Sequence, residues 1–188
     1  MAESRFIVAK TIIVNDRSPV KSRLSPGGRY CNMNNMNILL VYATNSGGTQ
    51  LASQIVQEHL MSQNLQVTMK EVRDTQPEEL TDADAVILAS STWDYEGLEG
   101  QPHPDYRPFM ELFKGKKITG KKFAVLGLGD SSYTYFCGAV NHLEQFVKDL
   151  EGILAVDSLK IDGFYLDQQT NSEKLASWAD NLGKTLVK

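Results

Sequence analysis

Cysteine is scarce in this chain, and the two present, Cys31 and Cys137, lie far apart with no CxxC spacing. Neither a disulfide scaffold nor a thiolate metal site is supported, which makes a reducing, cytoplasmic setting the expectation. The three histidines, His59, His103 and His142, have no partner at ligand spacing, so no metal is expected. His59 and His142 fall in helical patterns and read as surface or boundary residues. Long apolar runs are missing too. None approaches the roughly 20 residues of a bilayer span, so no membrane association is expected. Internal repeats and low-complexity tracts are also absent.

The chain does have enough apolar content for one sizeable core, with 188 residues of which 41% are hydrophobic. Its net charge of -4 conceals an asymmetry. Six of the 19 Lys and Arg but only two of the 23 acids fall in residues 1–35, giving that segment +4 and leaving 13 bases and 21 acids, a net of -8, for the rest. Such acidity disfavours nucleic acid and steers basic protein partners toward the domain. Residues 1–35 combine β-like runs (Phe6 to Val8, Thr11 to Val14) with a turn-rich stretch, Ser25-Pro26-Gly27-Gly28. This composition predicts a basic, disordered extension, or an upstream start with Met33 or Met36 beginning the domain. A targeting presequence is the rival reading, opposed by Glu3, Asp16 and the β-branched runs.

From Asn37 onward short apolar runs recur at Ile38 to Tyr42, Val67 to Val72, Ala85 to Ala89, Phe123 to Leu126 and Leu159 to Ile161. Between them, Leu51, Ile55, Val56 and Leu60, and then Val140, Leu143, Phe146, Val147 and Leu150, follow helical spacing. Near-continuous apolar strands alternating with helices predict an α/β fold, a doubly wound five-stranded parallel sheet covered on both faces. Thr170-Asn171-Ser172-Glu173 has capping-box spacing and predicts the start of a last helix striped by Leu175, Trp178, Ala179, Leu182 and Leu186. Residues 91–105, punctuated by Gly and Pro and rich in acids, read as a long functional loop.

Three segments directly behind strands carry the chemistry, where ligands of open α/β sheets bind. The first is Thr44-Asn45-Ser46-Gly47-Gly48-Thr49. It holds no lysine, whereas a triphosphate loop would set one beside its Ser or Thr. Hydroxyls and bare glycine amides at a helix start suit one terminal phosphate, hence a mononucleotide. The second is Ser90-Ser91-Thr92-Trp93, and the third Gly127-Leu128-Gly129-Asp130-Ser131-Ser132-Tyr133. Trp93 and Tyr133, on loops flanking one crevice, can sandwich a flat heteroaromatic ring while backbone groups of residues 130–137 bond its polar edge.

The run from Gly127 through Tyr133-Thr134-Tyr135-Phe136-Cys137-Gly138-Ala139-Val140, with the first two loops, closely resembles the flavodoxins over residues 36–188. Leu159 to Gly163 leaves no room for a twenty-residue interruption of the last strand, so the resemblance is to the short-chain type. It implies strand order 2-1-3-4-5 in three α/β/α layers, and FMN as cofactor. By the same resemblance Thr44, Asn45, Ser46, Gly48 and Thr49 hold the phosphate, with Gly48 standing where many relatives have Asn. Ser91, Thr92, Trp93, Asp94 and Tyr95 form the second flavin loop. Gly129, Asp130, Tyr133, Tyr135, Phe136 and Cys137 belong to the third, with Tyr133 stacked opposite Trp93 and main-chain groups of Asp130, Tyr135 and Cys137 meeting the pyrimidine edge. Asp94 occupies the place of a common Gly whose peptide flips on flavin reduction, and a non-Gly residue makes such a turn harder by on the order of 1 kcal/mol. Residues 96–104 are longer than the usual equivalent. Asp94, Glu96, Glu99, Asp105 and Asp130 together predict a crevice in which added negative charge is disfavoured.

The resemblance implies a monomeric, low-potential electron carrier and not an enzyme, working between an NADPH-dependent reductase and an acceptor with basic surfaces. An FMN-dependent quinone reductase on the same scaffold is the alternative, but two stacking aromatics would obstruct its hydride donor. A phospho-acceptor receiver is excluded because Tyr42-Ala43-Thr44 and Ala89-Ser90-Ser91 lack its metal-binding carboxylates.

Overall fold

The computed structural model describes residues 36–188, and the expectations for residues 1–35, Cys31 included, lie outside the described residues. Five parallel positions make the main sheet. Strand β1 (Asn37–Ala43) lies between β2 (Gln66–Glu71) and β3 (Ala85–Tyr95), and β3 is followed by β5 (Lys122–Gly129). The last position is shared by β6 (Ile153–Leu154) and β7 (Leu159–Asp162), which pair with the start and the end of β5. Residues 155–158 are the only interruption. The predicted order is thus observed, in a sheet of seven strands where five were expected.

The additional strand is β4 (Leu98–Pro102), antiparallel to the outer half of β3. Most of residues 91–105 therefore form a hairpin, where the sequence reads as a long functional loop. Tyr95 pairs with Leu98, and the two residues between, Glu96 and Gly97, have φ of 53° and 78°. Two successive positive φ values define the tight primed turn whose twist matches flanking strands.

Side chains alternate across the buried strands, and each face meets its own helices. Ile38, Leu40, Tyr42, Ile87, Ala89, Leu126 and Leu128 pack under α1 (Gly48–Ser62) and α5 (Gln168–Leu186). Leu39, Val41, Val86, Leu88, Phe123 and Val125 pack under α2 (Pro77–Asp82), α3 (Tyr106–Glu111) and α4 (Gly138–Asp149). Burying such strands on both faces is worth roughly 25 cal/mol per Å² of apolar surface. Tyr106 is fully buried, its hydroxyl shared between Val41 C=O (3.0 Å) and Ala89 C=O (3.1 Å), so it ties α3 to β1 and β3.

Two helical details differ from expectation. In α1 the buried stripe is Ala52, Val56 and Leu60, while Leu51 and Ile55 are only half-buried against the core. Helix α5 begins at Gln168, and its cap is Asp167, which accepts the Thr170 N–H at 3.2 Å. Thr170, which the spacing makes the cap, lies inside the helix, and Asn171 beside it is buried and donates from Nδ2 to the carbonyls of Asp162, Gly163 and Phe164. Among the described residues no helix is long and apolar enough to cross a membrane.

Candidate functional site

The carboxyl ends of β1, β3, β5 and β7 open onto one cavity of about 430 Å³. Helices α1 and α4 both start at its rim, and both do so without a side-chain cap. Gly47, at φ 83°, turns the chain into α1, and its N–H donates to Thr44 Oγ1 at 3.0 Å. The amides of Gly48, Thr49 and Gln50 have no acceptor within the helix by their position. Thr49 adds a hydroxyl that is buried, lines the cavity and has no hydrogen-bond partner. A buried donor left unmade is costly, and the acceptor oxygens of an anion would satisfy both this hydroxyl and the free amides.

On the second wall, Trp93 Nε1 donates to Ser91 Oγ at 2.7 Å, and the His103 ring meets the indole edge-on, centroids 5.8 Å apart. These two contacts fix the indole in place. His103 N–H donates to Ser90 Oγ (2.9 Å), and Ser90 Oγ–H donates to Ser91 C=O (2.8 Å), which fixes the strand end beneath it. Burial holds the His103 imidazole below its ordinary pKa, against the neighbouring Asp105 carboxylate, which favours the charged form.

The third wall is the β5–α4 segment. Asp130 Oδ1 accepts from Ser132 N–H (2.8 Å) and Oγ–H (2.6 Å), which keeps its carboxyl below the usual range. Cys137 takes φ 50° to begin α4, and burial pushes its thiol up to about 12. A Cβ on Gly129 would stand 2.8 Å from Cys137 N, so only glycine permits this approach. Tyr133 and Tyr135 are 61% and 59% exposed at the mouth. The hairpin closes on this wall, because a Cβ on Gly138 would fall 2.6 Å from Gly100 O, and Glu99 Oε1 accepts the Tyr135 N–H at 3.0 Å.

The cavity brings together Thr44, Asn45, Ser46, Gly48, Thr49, Ser91, Thr92, Trp93, Asp94, Gly129, Asp130, Tyr133, Tyr135 and Cys137. It leaves out Tyr95, whose ring lies under the Arg107 guanidinium (5.1 Å to the centroid), and Phe136, which packs against the α4-side core. Of the acids expected at the crevice, Asp94, Glu99 and Asp130 line it. Glu96 pairs with Arg107 at 3.1 Å, and Asp105 lies 3.6 Å from His103. Sequence reasoning missed Gly100, and also Phe164 and Tyr165 behind β7. The rule that ligands sit beyond strand carboxyl ends applies to the last strand as well, and was the available signal. No cluster of metal-ligating side chains occurs among the described residues.

The family model described as Flavodoxin matches residues 40–178. The flavodoxin of Maridesulfovibrio salexigens is 34% identical over 145 residues, spanning 77% of this chain and 94% of that protein. A solved short-chain flavodoxin associated with a PDU bacterial microcompartment superposes with a TM-score of 0.71 at 28% identity, covering 80% of this chain and 99% of its own. A mutant flavodoxin of Fusobacterium nucleatum, solved bound to flavin mononucleotide, shares the fold with a TM-score of 0.69 at 18% identity over 80% of this chain and 98% of that one. With its sheet order, its three loops and these relatives, the chain belongs to the flavodoxin family, of the short-chain type.

Proposed function

We propose that this chain binds FMN in the cavity described above and carries electrons between redox proteins, as the family's electron carriers do. The observation that carries the reading is Thr49 Oγ1, a buried and unpartnered hydroxyl beside three amides without helical acceptors and no lysine. Together these match the acceptor oxygens of one phosphate monoester. Thr44, Asn45, Ser46 and Gly48 complete that cradle. Trp93 and Tyr133 offer the two planar faces, and main-chain groups of Asp130, Tyr135 and Cys137 the polar edge. When bound, FMN supplies one- and two-electron redox chemistry that no side chain here provides.

The chain's own part is binding and electrostatics. Asp94, Glu99 and Asp130 line the cavity and oppose the arrival of further negative charge, making the loaded protein a strong donor. The excess of 21 acids over 13 bases beyond residue 35 steers it toward basic faces, those of an NADPH-dependent reductase and of an acceptor. A cytoplasmic monomer suits these roles, with residues 36–188 as the flavin-binding domain. The test is a visible spectrum of the purified full chain through stepwise dithionite addition, followed by NADPH alone. A yellow protein that dithionite bleaches and that NADPH leaves oxidised supports a carrier; steady NADPH oxidation by the isolated protein would favour the quinone reductase.

A further inference from the structure

Tyr165 comes from the β7–α5 loop and lies across the first turn of α1. Its hydroxyl donates to Ser46 C=O at 3.3 Å, joining positions 119 residues apart. A Cβ on Gly48 would stand 3.2 Å from Tyr165 Cε2 and 3.6 Å from Cζ and the hydroxyl oxygen, so the ring occupies the space that a side chain at residue 48 would claim. Tyr165 is 57% exposed, and core burial alone does not explain its position. The loop that carries it is nevertheless braced. Asn171 Nδ2 donates to Asp162 C=O (3.0 Å), Gly163 C=O (3.5 Å) and Phe164 C=O (3.4 Å). Phe164 is buried in the α5-side core and meets the Tyr165 ring edge-on at 5.3 Å.

We propose that Tyr165 is a specificity-determining residue of the cradle, through which this chain distinguishes a flavin bearing a terminal phosphate from one without it. The assignment rests on the FMN reading above. Two physical effects support it. The ring covers Gly48 on the solvent side, and amide–phosphate hydrogen bonds strengthen where water is excluded. The hydroxyl pins the Ser46 carbonyl, whose negative end would oppose an anion if it turned into the cradle. The unpartnered Thr49 hydroxyl at the same turn marks where the ligand's oxygens belong.

The experiment titrates FMN and riboflavin separately into the full-length apoprotein, following flavin fluorescence, for the wild type, Tyr165→Phe, Tyr165→Ala, Gly48→Ala and the double variant Gly48→Ala/Tyr165→Ala. Tyr165→Ala is expected to weaken FMN about tenfold, a change of about 1.4 kcal/mol, while riboflavin shifts less than about twofold. Tyr165→Phe should fall between it and the wild type. Gly48→Ala should weaken FMN when Tyr165 is present and add little when it is absent, because the two residues share one space. Equal weakening of both flavins, or an unchanged ratio of their affinities, overturns the assignment while leaving FMN binding intact. A wild type that binds neither flavin overturns the underlying reading as well. Should Tyr165→Ala fail to fold by circular dichroism, Tyr165→Phe and Gly48→Ala decide on the same ratio.

Discussion

Thr49 has a buried hydroxyl at the edge of the cavity that nothing in the protein satisfies. Stability alone would prefer an apolar group of the same shape there. Thr49→Val, which keeps the volume, is therefore expected to leave the apoprotein's thermal midpoint unchanged or raised by a few degrees. The same change should weaken FMN at least about tenfold, through loss of one charge-assisted hydrogen bond. Calorimetric melting and a binding titration on one preparation check both halves, and a destabilised apoprotein that still binds FMN normally would refute the role given to this hydroxyl. The residue type was legible in the sequence as one hydroxyl among three. That it is the orphaned one was not, because hydroxyl satisfaction depends on tertiary neighbours.

At the scale of elements, short apolar runs identified one strand at each of the five parallel positions, most plainly β1, β3 and β5, since a strand buried on both faces leaves little room for polar residues; the two-residue β6, exposed at both residues, escaped them. The hairpin was harder to read. Its outer strand, Leu98–Pro102, is polar, and its turn rests on Glu96 and Gly97 rather than the familiar Asn-Gly. Gly100 locks this hairpin to α4, with φ 83° and a would-be Cβ 2.7 Å from Tyr135 Cβ. Gly100→Ala should cost about 2 kcal/mol from overpacking together with a left-handed backbone. It should also raise protease cleavage within residues 96–104. Chemical denaturation and limited proteolysis measure these effects, and a neutral variant would mean that the hairpin is not clamped where the backbone contacts place it. Phe164 and Tyr165 escaped sequence reading for a different reason. Their place beyond the carboxyl end of the last strand is what the strand-end rule marks, but the contact of Tyr165 with Ser46, 119 residues away, is encoded by no local pattern.

Across the whole molecule, pH couples to the site through His103. Its neutral form is favoured by burial, with Arg73 acting in the same direction and Asp105 and Glu71 opposing. A histidine pKa depressed in the folded state means that the unfolded chain binds more protons just below about pH 6.5, so stability is full above that pH and declines as pH falls toward the folded value. The carboxylates held low by hydrogen bonds, among them Glu79 and Asp167, add their own losses only at more acid pH, as pH falls through their folded values. Thermal melts at pH 7.0 and about 5.5 should therefore show a drop that His103→Asn reduces. An identical drop in the variant would assign the effect elsewhere.

The central claim, that one cavity at the strand ends holds a phosphorylated flavin, is tested most directly by adding apoprotein to a fixed amount of FMN and recording its fluorescence. The account predicts quenching that ends at one equivalent, because Trp93 and Tyr133 flank the cavity and the Thr49 cradle holds a single phosphate. Emission that stays at the level of free FMN through several equivalents of folded protein would contradict it.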